Sequence, residues 1–598
     1  MMKRRKSWMS RLVVPAAIAL SPLALCGWRP VRAAAVEAWA IASSGTSEAS
    51  MASDPDTQDE KLSAAKQIPV PRPPMGWNSW NSFSNTVDSN VVMQQARAIV
   101  ASGMRAAGYQ YVLIDEGWWL GDRDQRGNIL VDPKQWPALA PGERTGDMAN
   151  IVRYIHGLDL KAGIYTDAGK FGCSYAGPDL GPRRPNTGSE GHYDQDFLQF
   201  AQWGFDYVKV DWCGGDHEHL DPAIQYAEIA RAIAKAEAAT GHRLFFSICN
   251  WGNQSPWTWA PGIGGVTEDI WRTSGDISAP IVAGSINAHR TVSSRNVLVN
   301  FDHGIHPEAQ HTGFYNDLDM MVLGMPGMSE ASNRLHMSLW AISGAPLIVG
   351  ADITKLSSKE LAILTNPEVI AVEQDSLGLQ CVKIAEGGSG LQVWAKPLAG
   401  SGVRAAVLLN RTSHSAPISV RWSDLGLQPS SGAAVRDLWA QKSLGSDTGS
   451  YTGNVPADDV VMLTISGVAG KATRYEAASP TNGFVGGSAP APCKNCLGGA
   501  SVLIGGNRSL TFKNVASTGK MAYLHIAYIN GGNAPIIAEL RVNGQSPTMV
   551  AFPSTGGEDT VGTVTVEASL MASGDNSLTF SSPCDTGIAL DSVSVASW

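Results

Sequence analysis

The feature that most constrains this chain is a recurring unit: a short apolar run closed by a polar or acidic side chain, then a longer amphipathic stretch. The runs are Met75–Trp77, Tyr111–Ile114, Ala162–Tyr165, Tyr207–Val210, Leu244–Ile248, Ile270–Arg272, Leu318–Val322 and Leu347–Val349. Segments such as 91–107 and 222–240 carry helical periodicity between them. Eight β-then-helix units over about 290 residues fit a (β/α)8 barrel, placed at 71–372. A doubly wound open sheet competes, but no GxGxxG follows the first run.

What closes the runs points to chemistry. Asp115-Glu116, Asp167, Asp211, Asn250, Asp276, Asp317 and Asp352 follow candidate strands. One Asp after a strand reads as a helix N-cap. Several together, flanked by Trp, read as a carboxylate-rich pocket at the face where barrel enzymes gather their active sites. Asp211 closes YVKVDWC with Lys209 two residues back, on the same strand face. A lysine there favours the ionised carboxylate that a nucleophile needs. The same spacing also suits a buried structural pair. Asp276 follows WRTSGDI, with Arg272 four residues earlier. Two carboxylates in an aromatic-rich pocket suit glycoside hydrolysis, one as nucleophile and the other as acid, then base.

Beyond Asp352 the pattern turns to period two. Strands at 391–394, 404–410, 418–422 and 460–465 place an antiparallel β-sandwich at 373–468. Runs at 509–512, 521–529, 538–542, 561–566, 577–580 and 588–595 place a second sandwich or jelly roll at 471–598. The fold class is therefore α/β: a TIM barrel followed by two β-sandwich domains.

The other end of the chain carries the charge asymmetry. Seven of the 45 basic residues fall in the first 35 positions, which hold no Asp or Glu. The remainder has 38 basic against 54 acidic residues, a net of -16, and so disfavours nucleic acid or an anionic membrane as partner. The basic start, the apolar stretch from Leu12 to Leu25 and Ala33-Ala34-Ala35 read as a signal peptide over 1–35. Residues 36–70 lack apolar periodicity and read as a disordered leader. The mature protein is expected to be secreted or periplasmic and not membrane-spanning.

Of eight Cys, loss of Cys26 with the signal leaves an odd number, so at least one is unpaired or the pairing is incomplete. Cys493-Lys494-Asn495-Cys496 reads as a local disulfide, since no second CxxC or HxxxH follows. His217-Glu218-His219, in a loop opened by Gly214-Gly215 and lacking a third ligand at a recognisable spacing, reads as a solvated loop and not as zinc.

Seven motifs in order, MGWNSWNSF, YVLIDEGWW, KAGIYTDAG, DYVKVDWCGG, SICNWG, WRTSGDI and NDLDMMVLG, resemble glycoside hydrolase family 27, the α-galactosidases, over about 70–470. The resemblance implies an exo-acting retaining double displacement on carbohydrate substrates, with no cofactor for catalysis. It makes Asp211 the nucleophile and Asp276 the acid/base. It places Trp80, Asp115, Glu116, Tyr165, Lys209, Asn250, Trp251 and Arg272 around the terminal sugar, and pairs Cys173 with Cys213.

Three departures bear on the substrate. Glu116 stands where the family has Asp and is expected to intrude on the C6 hydroxymethyl of galactose, so a β-L-arabinopyranosidase is the alternative. Asn250 replaces a Glu that reads the 2-substituent; N-acetylgalactosamine is disfavoured, since small residues are expected there for it. No Cys between Cys249 and Asp276 provides the family's second disulfide, which leaves Cys249 a free buried thiol. A non-catalytic sugar-binding protein is the rival from another class.

The C-terminal domain resembles carbohydrate-binding modules of the family 35 type, bracketed by YEAAS and LDSVSV. The resemblance implies a structural calcium at Glu476 and Asp591, although Ala478 replaces the usual second Glu. A sandwich that only stabilises the enzyme is the alternative.

Overall fold

Seven of the eight apolar runs lie in one curled parallel sheet, as a (β/α)8 barrel requires. A computed structural model describes residues 66–173, 187–263, 270–277, 292–387, 390–517, 521–572, 574–582 and 587–597. Eight parallel strands form one sheet: β1 (Met75–Asn78), β2 (Tyr111–Leu113), β3 (Lys161–Asp167), β4 (Tyr207–Asp211), β5 (Phe245–Cys249), β6 (Ile270–Arg272), β7 (Tyr315–Asp317) and β8 (Leu347–Val349). Each strand from β1 to β6 pairs with the next, and β8 pairs onto β1. A parallel bridge from Met321 to Val349 joins the segment after β7 to β8.

Strand spacing here depends on missing side chains. A Cβ on Gly76 of β1 would overlap the carbonyl oxygen of Tyr111 on β2. Leu113, Tyr207, Phe245, Ile270, Tyr315, Met320 and Ile348 fill the barrel interior. The seventh strand differs from expectation: Tyr315–Asp317 pairs in the sheet, not Leu318–Val322. Leu318, Met321 and Val322 are apolar because they are fully buried, not because they are paired along a strand.

Helices follow most strands. α1 (Ser89–Ala101) is capped by Asp88, and α2 (Ala149–His156) and α3 (Tyr193–Trp203) follow β2 and β3. α4 (Pro222–Thr240) opens with the Asp221 carboxylate accepting from the Ile224 amide and Pro222 in its first turn; it ends at Gly241 with φ 70°. After β5 the described residues hold only a short 3-10 turn, Pro256–Thr258. α5 (Ser294–His303) follows β6 and α6 (Glu330–Ser343) follows β7. No described helix is long and apolar enough to cross a membrane.

The first sandwich has a six-stranded sheet, in the order 382–387, 391–397, 403–410, 459–467, 433–437, 442–447, and a two-stranded partner of 416–421 and 450–455. It seats on the barrel through Trp439, whose indole N–H donates to Ser338 on α6 at 2.9 Å, and through Asn366, which donates to the Leu438 carbonyl at 3.0 Å. The C-terminal domain is a two-sheet antiparallel sandwich around Leu510, Phe512, Ile526, Tyr528, Phe552, Leu578 and Phe580.

One boundary changes. The expected leader is not free over its last residues. Lys66–Gln67 pairs in parallel with Gly562–Thr563 of the C-terminal domain, and the Ile68 amide donates to the Thr563 carbonyl at 3.0 Å. Ile68 is buried in that domain's core, and the Val70 amide donates to the Ser376 carbonyl beside the barrel. The signal segment, Cys26 and Cys584 lie outside the described residues.

Candidate active site

The site is built on adjacent strand ends. Asp115 follows β2, and one of its oxygens, Oδ2, accepts from Asn78 Nδ2 at the end of β1 and from Lys209 Nζ on β4, both at 2.8 Å. Lys209 and Asp211 do share a face of β4, but the ammonium binds Asp115, so the pairing expected from spacing alone is corrected. Burial opposes the Lys209 charge; Asp115, Cys249 and Asp211 around it outweigh burial and hold its pKa above the usual lysine range.

Asp211 ends β4, 5% exposed. Its Oδ2 accepts from the Tyr165 hydroxyl on β3 at 2.9 Å, and its Oδ1 from the Trp212 amide at 3.1 Å. Burial raises its pKa, Lys209 draws it down, and Asp115 and Asp276 push it up; the net direction is upward. Cys173 and Cys213 are joined, as the resemblance implied, with Cα atoms 5.1 Å apart. Cys173 Sγ lies 3.1 Å from Asp211 Oδ2, so this bridge is a wall of the site.

Arg272 at the end of β6 arranges the other carboxylate. It is 2% exposed. Its Nη2 donates to Asp276 Oδ1 and to the Ser274 carbonyl, both at 3.1 Å, and its Nη1 pairs with Asp319 at 3.0 Å. Asp276 is far more open, with 45% of its side chain exposed. Asp319 accepts the Ile277 amide at 2.7 Å, which pins the residue just after Asp276. Burial pushes the Asp319 pKa up to about 7 against the pull of Arg272.

The remaining expected residues surround this core. Trp80 is half-buried at the barrel interior, its amide donating to Asn78 Oδ1 at 2.8 Å. Glu116 is fully buried, its Oε1 against the bare Cα of Gly172 and beside the Trp119 ring. Asn250 is also fully buried; its Nδ2 donates to the Asn253 carbonyl at 2.6 Å, and among the described residues its Oδ1 meets no donor. Trp251 is half-buried with φ 55°, in a turn whose Gly252 backs onto the Thr273 carbonyl.

Other strand-end acids have structural work. Asp167 spends Oδ1 on the amides of Gly169 at 2.7 Å and Gly214 at 3.0 Å. Asp352 caps the turn at 353–355. His217 meets Phe171 edge-on, and Glu218 pairs with Lys170. Cys249 is a buried free thiol, as is Cys381, and Cys493 bonds Cys496.

Far from this site, Glu476 and Asp591 converge on the turn after Cys496. Asp591 accepts the Leu497 amide, and Glu476 lies against Gly498 with Arg474 at 3.6 Å.

Sequence reasoning missed Asn78 and Asp319. Both lie inside quoted motifs, MGWNSWNSF and NDLDMMVLG, but only the fold reveals which charged neighbour each one holds.

Three family models match the chain. They are described as alpha galactosidase A over residues 72–375, the alpha-galactosidase C-terminal beta sandwich domain over 388–465, and an alpha-galactosidase CBM13 domain over 509–595. A module of this kind is thus matched at the C-terminus, described as CBM13 where the family 35 type was expected. A probable alpha-galactosidase of Dictyostelium discoideum is 37% identical over 399 residues, covering 66% of this chain and 92% of that protein. Alpha-galactosidase A of Cellvibrio japonicus is 42% identical, covering 59% and 79% respectively. The crystal structure of alpha-galactosidase I from Mortierella vinacea, 31% identical, superposes with a TM-score of 0.57 over 67% of this chain and 98% of that one.

Proposed function

The chain belongs to glycoside hydrolase family 27, the α-galactosidase family, and from that premise we propose how its residues divide the work. The activity is that of an exo-acting retaining α-galactosidase.

Asp211 attacks the anomeric carbon while Asp276 protonates the departing glycosidic oxygen, leaving a covalent galactosyl-enzyme. Asp276 then takes a proton from water, which releases the sugar with retained configuration. The two carboxylates complete this cycle between them. The contrast between them supports the assignment. Asp211 is buried and clamped by Tyr165, as a fixed nucleophile requires. Asp276 is half-open to solvent, as an acid that must meet a leaving group and then water requires.

Tyr165 orients the nucleophile. Asp115 and Lys209, locked together, present an acceptor and a donor to ring hydroxyls, and Trp80 offers an apolar face to the sugar's C–H side. Arg272, buried and bonded to Asp276, offers a further donor. Asn250 Oδ1, left without a donor, accepts a sugar hydroxyl, and Trp251 closes that side. Release of nitrophenol from nitrophenyl α-D-galactopyranoside, with α-galactose as the first anomer seen by NMR, is the expected outcome. No release, or β-galactose first, contradicts the reading.

The C-terminal domain is read as a carbohydrate-binding module. A calcium ion there would have Glu476 and Asp591 as its carboxylates, since both face the 496–499 turn. A calcium-dependent rise in melting temperature, lost in Asp591→Asn, supports the ion; melting indifferent to calcium and chelator refutes it. Export after removal of residues 1–35 is checked by N-terminal sequencing of the extracellular protein.

A further inference from the structure

Asp276 stands on the loop after β6, and two bonds from other elements hold the residues on either side of it. After it, the Ile277 amide donates to Asp319. Before it, the Gly275 carbonyl accepts from Asn300 Nδ2 at 2.8 Å. The same nitrogen donates to the carbonyl of Leu318, one position before Asp319, at 3.1 Å. Gly275 has no side chain, and a Cβ there would meet no atom of the described residues within 4 Å, so packing does not fix it. Its carbonyl does. Asn300, 4% exposed, thus ties the start of the loop to the segment that carries Asp319.

A side chain can hold a loop only if its own backbone is held. Asn300 lies in the last turn of α5, and the first sandwich grips that end of the helix. The Phe301 ring meets Trp394 edge-on, with centroids 4.8 Å apart. Asp302 accepts two bonds from Arg411, at 2.7 and 2.6 Å. Gln380 Nε2 donates at 2.9 Å to the carbonyl of Gly304, the residue that ends the helix. On the barrel side a Cβ on Gly304 would lie 2.5 Å from Leu318 Cγ, so the helix end seats directly on the segment after β7.

We propose that Asn300 is a positioning residue for the acid/base: backed by the first sandwich, it fixes the backbone at Gly275 and so sets where the Asp276 carboxylate stands against Arg272. This rests on the assignment of Asp276 above. An acid must keep hydrogen-bond reach of the oxygen it protonates, so a small displacement of its loop is costly.

The experiment measures kcat/KM on methyl α-D-galactopyranoside, whose leaving group needs a proton, and on the nitrophenyl glycoside, whose leaving group does not. Wild type, Asn300→Ala, Asp276→Ala and the double variant are compared. Asn300→Ala should lose about tenfold or more on the methyl glycoside and less than about threefold on the nitrophenyl one. With Asp276 already replaced, the Asn300 change should cost less than about threefold on either, since the group it positions is gone. A residue that only stabilises the fold lowers both substrates by one factor, with or without Asp276; that result overturns the proposal.

Asn300→Leu keeps the volume and removes the donor, and it decides if Asn300→Ala does not accumulate folded. The same leaving-group pattern supports the proposal; an equal loss on both substrates, or failure of both variants to fold, overturns it. Failure of the acid/base assignment shows separately, as an Asp276→Ala that loses equally on both glycosides. Failure of the α-galactosidase reading shows as a wild type that cleaves neither.

Discussion

Asp167 and Asp211 end neighbouring strands in register with one another, yet they do different work. Asp167 is fully buried and directs one oxygen at two loop amides, so its carboxyl is a fastener for the turns after β3 and β4. Asp211 meets a tyrosine hydroxyl, lies within the fields of Lys209 and Asp276, and borders the Cys173–Cys213 bridge. Strand-end position is common to both. What separates a fastener from a reacting group is whether backbone amides or side chains with chemistry surround it.

The sharpest way to break this contrast is to make the same change at both sites. Asp211→Asn should fold and lose about four orders of magnitude in kcat, measured on nitrophenyl galactoside. Burial, with Asp211 next to it, pushes the Asp167 pKa well above the carboxylate range, which favours its protonated form. An amide imitates that form, so Asp167→Asn should stay folded and active. Asp167→Ala removes the acceptor and should cost about 1–3 kcal/mol in chemical denaturation. A dead Asp167→Asn would erase the distinction.

Next in size is Asp276→Ala. It should lose about 10²–10⁴-fold on substrates with poor leaving groups and far less on activated aryl galactosides, which need no protonation. Equal losses on both would remove Asp276 from the acid role. Asp319→Asn comes after it. That change frees Arg272 and loosens Ile277, and should lower kcat by about a hundredfold with a shifted pH profile. A shift in KM alone would contradict a positioning role.

The smallest expected effect lies outside the site. Glu373, buried near the seam with the first sandwich, has its pKa pushed up to about 8 by burial, against Gln374, Lys396 and Arg72. The folded state therefore holds this proton more tightly than the unfolded chain. Its contribution to stability is complete below about 4.5 and is lost as pH rises through about 8. Melting temperatures should fall over that range in wild type and fall less in Glu373→Gln, with kcat unaffected.

Much of this was legible in the chain. The short apolar runs and their acidic ends placed seven of eight barrel strands, and α4 ran from Pro222 to Thr240 because a capping Asp, a proline and a glycine mark both ends. Three things were not legible, each because it depends on distant neighbours. Leu318–Val322 looks like a strand since burial and pairing leave the same apolar signature. Lys209 lies two residues from Asp211, but its partner is 94 positions away at Asp115. The 66–70 segment has a composition that suits a free leader, and its partners, the strand at 562–569 and Ser376, lie hundreds of positions away. Asp115 likewise bonds Asn78, which no spacing rule connects to it.

The central claim is that Asp211 carries the sugar. A ring-fluorinated galactosyl fluoride slows release of the covalent intermediate, and peptide mass spectrometry of the inactivated enzyme then locates the bond. The account predicts one galactosyl adduct on the peptide bearing Asp211, absent from Asp211→Asn. An adduct on Asp115, Glu116 or Asp276, or turnover with inversion and no adduct, would contradict it.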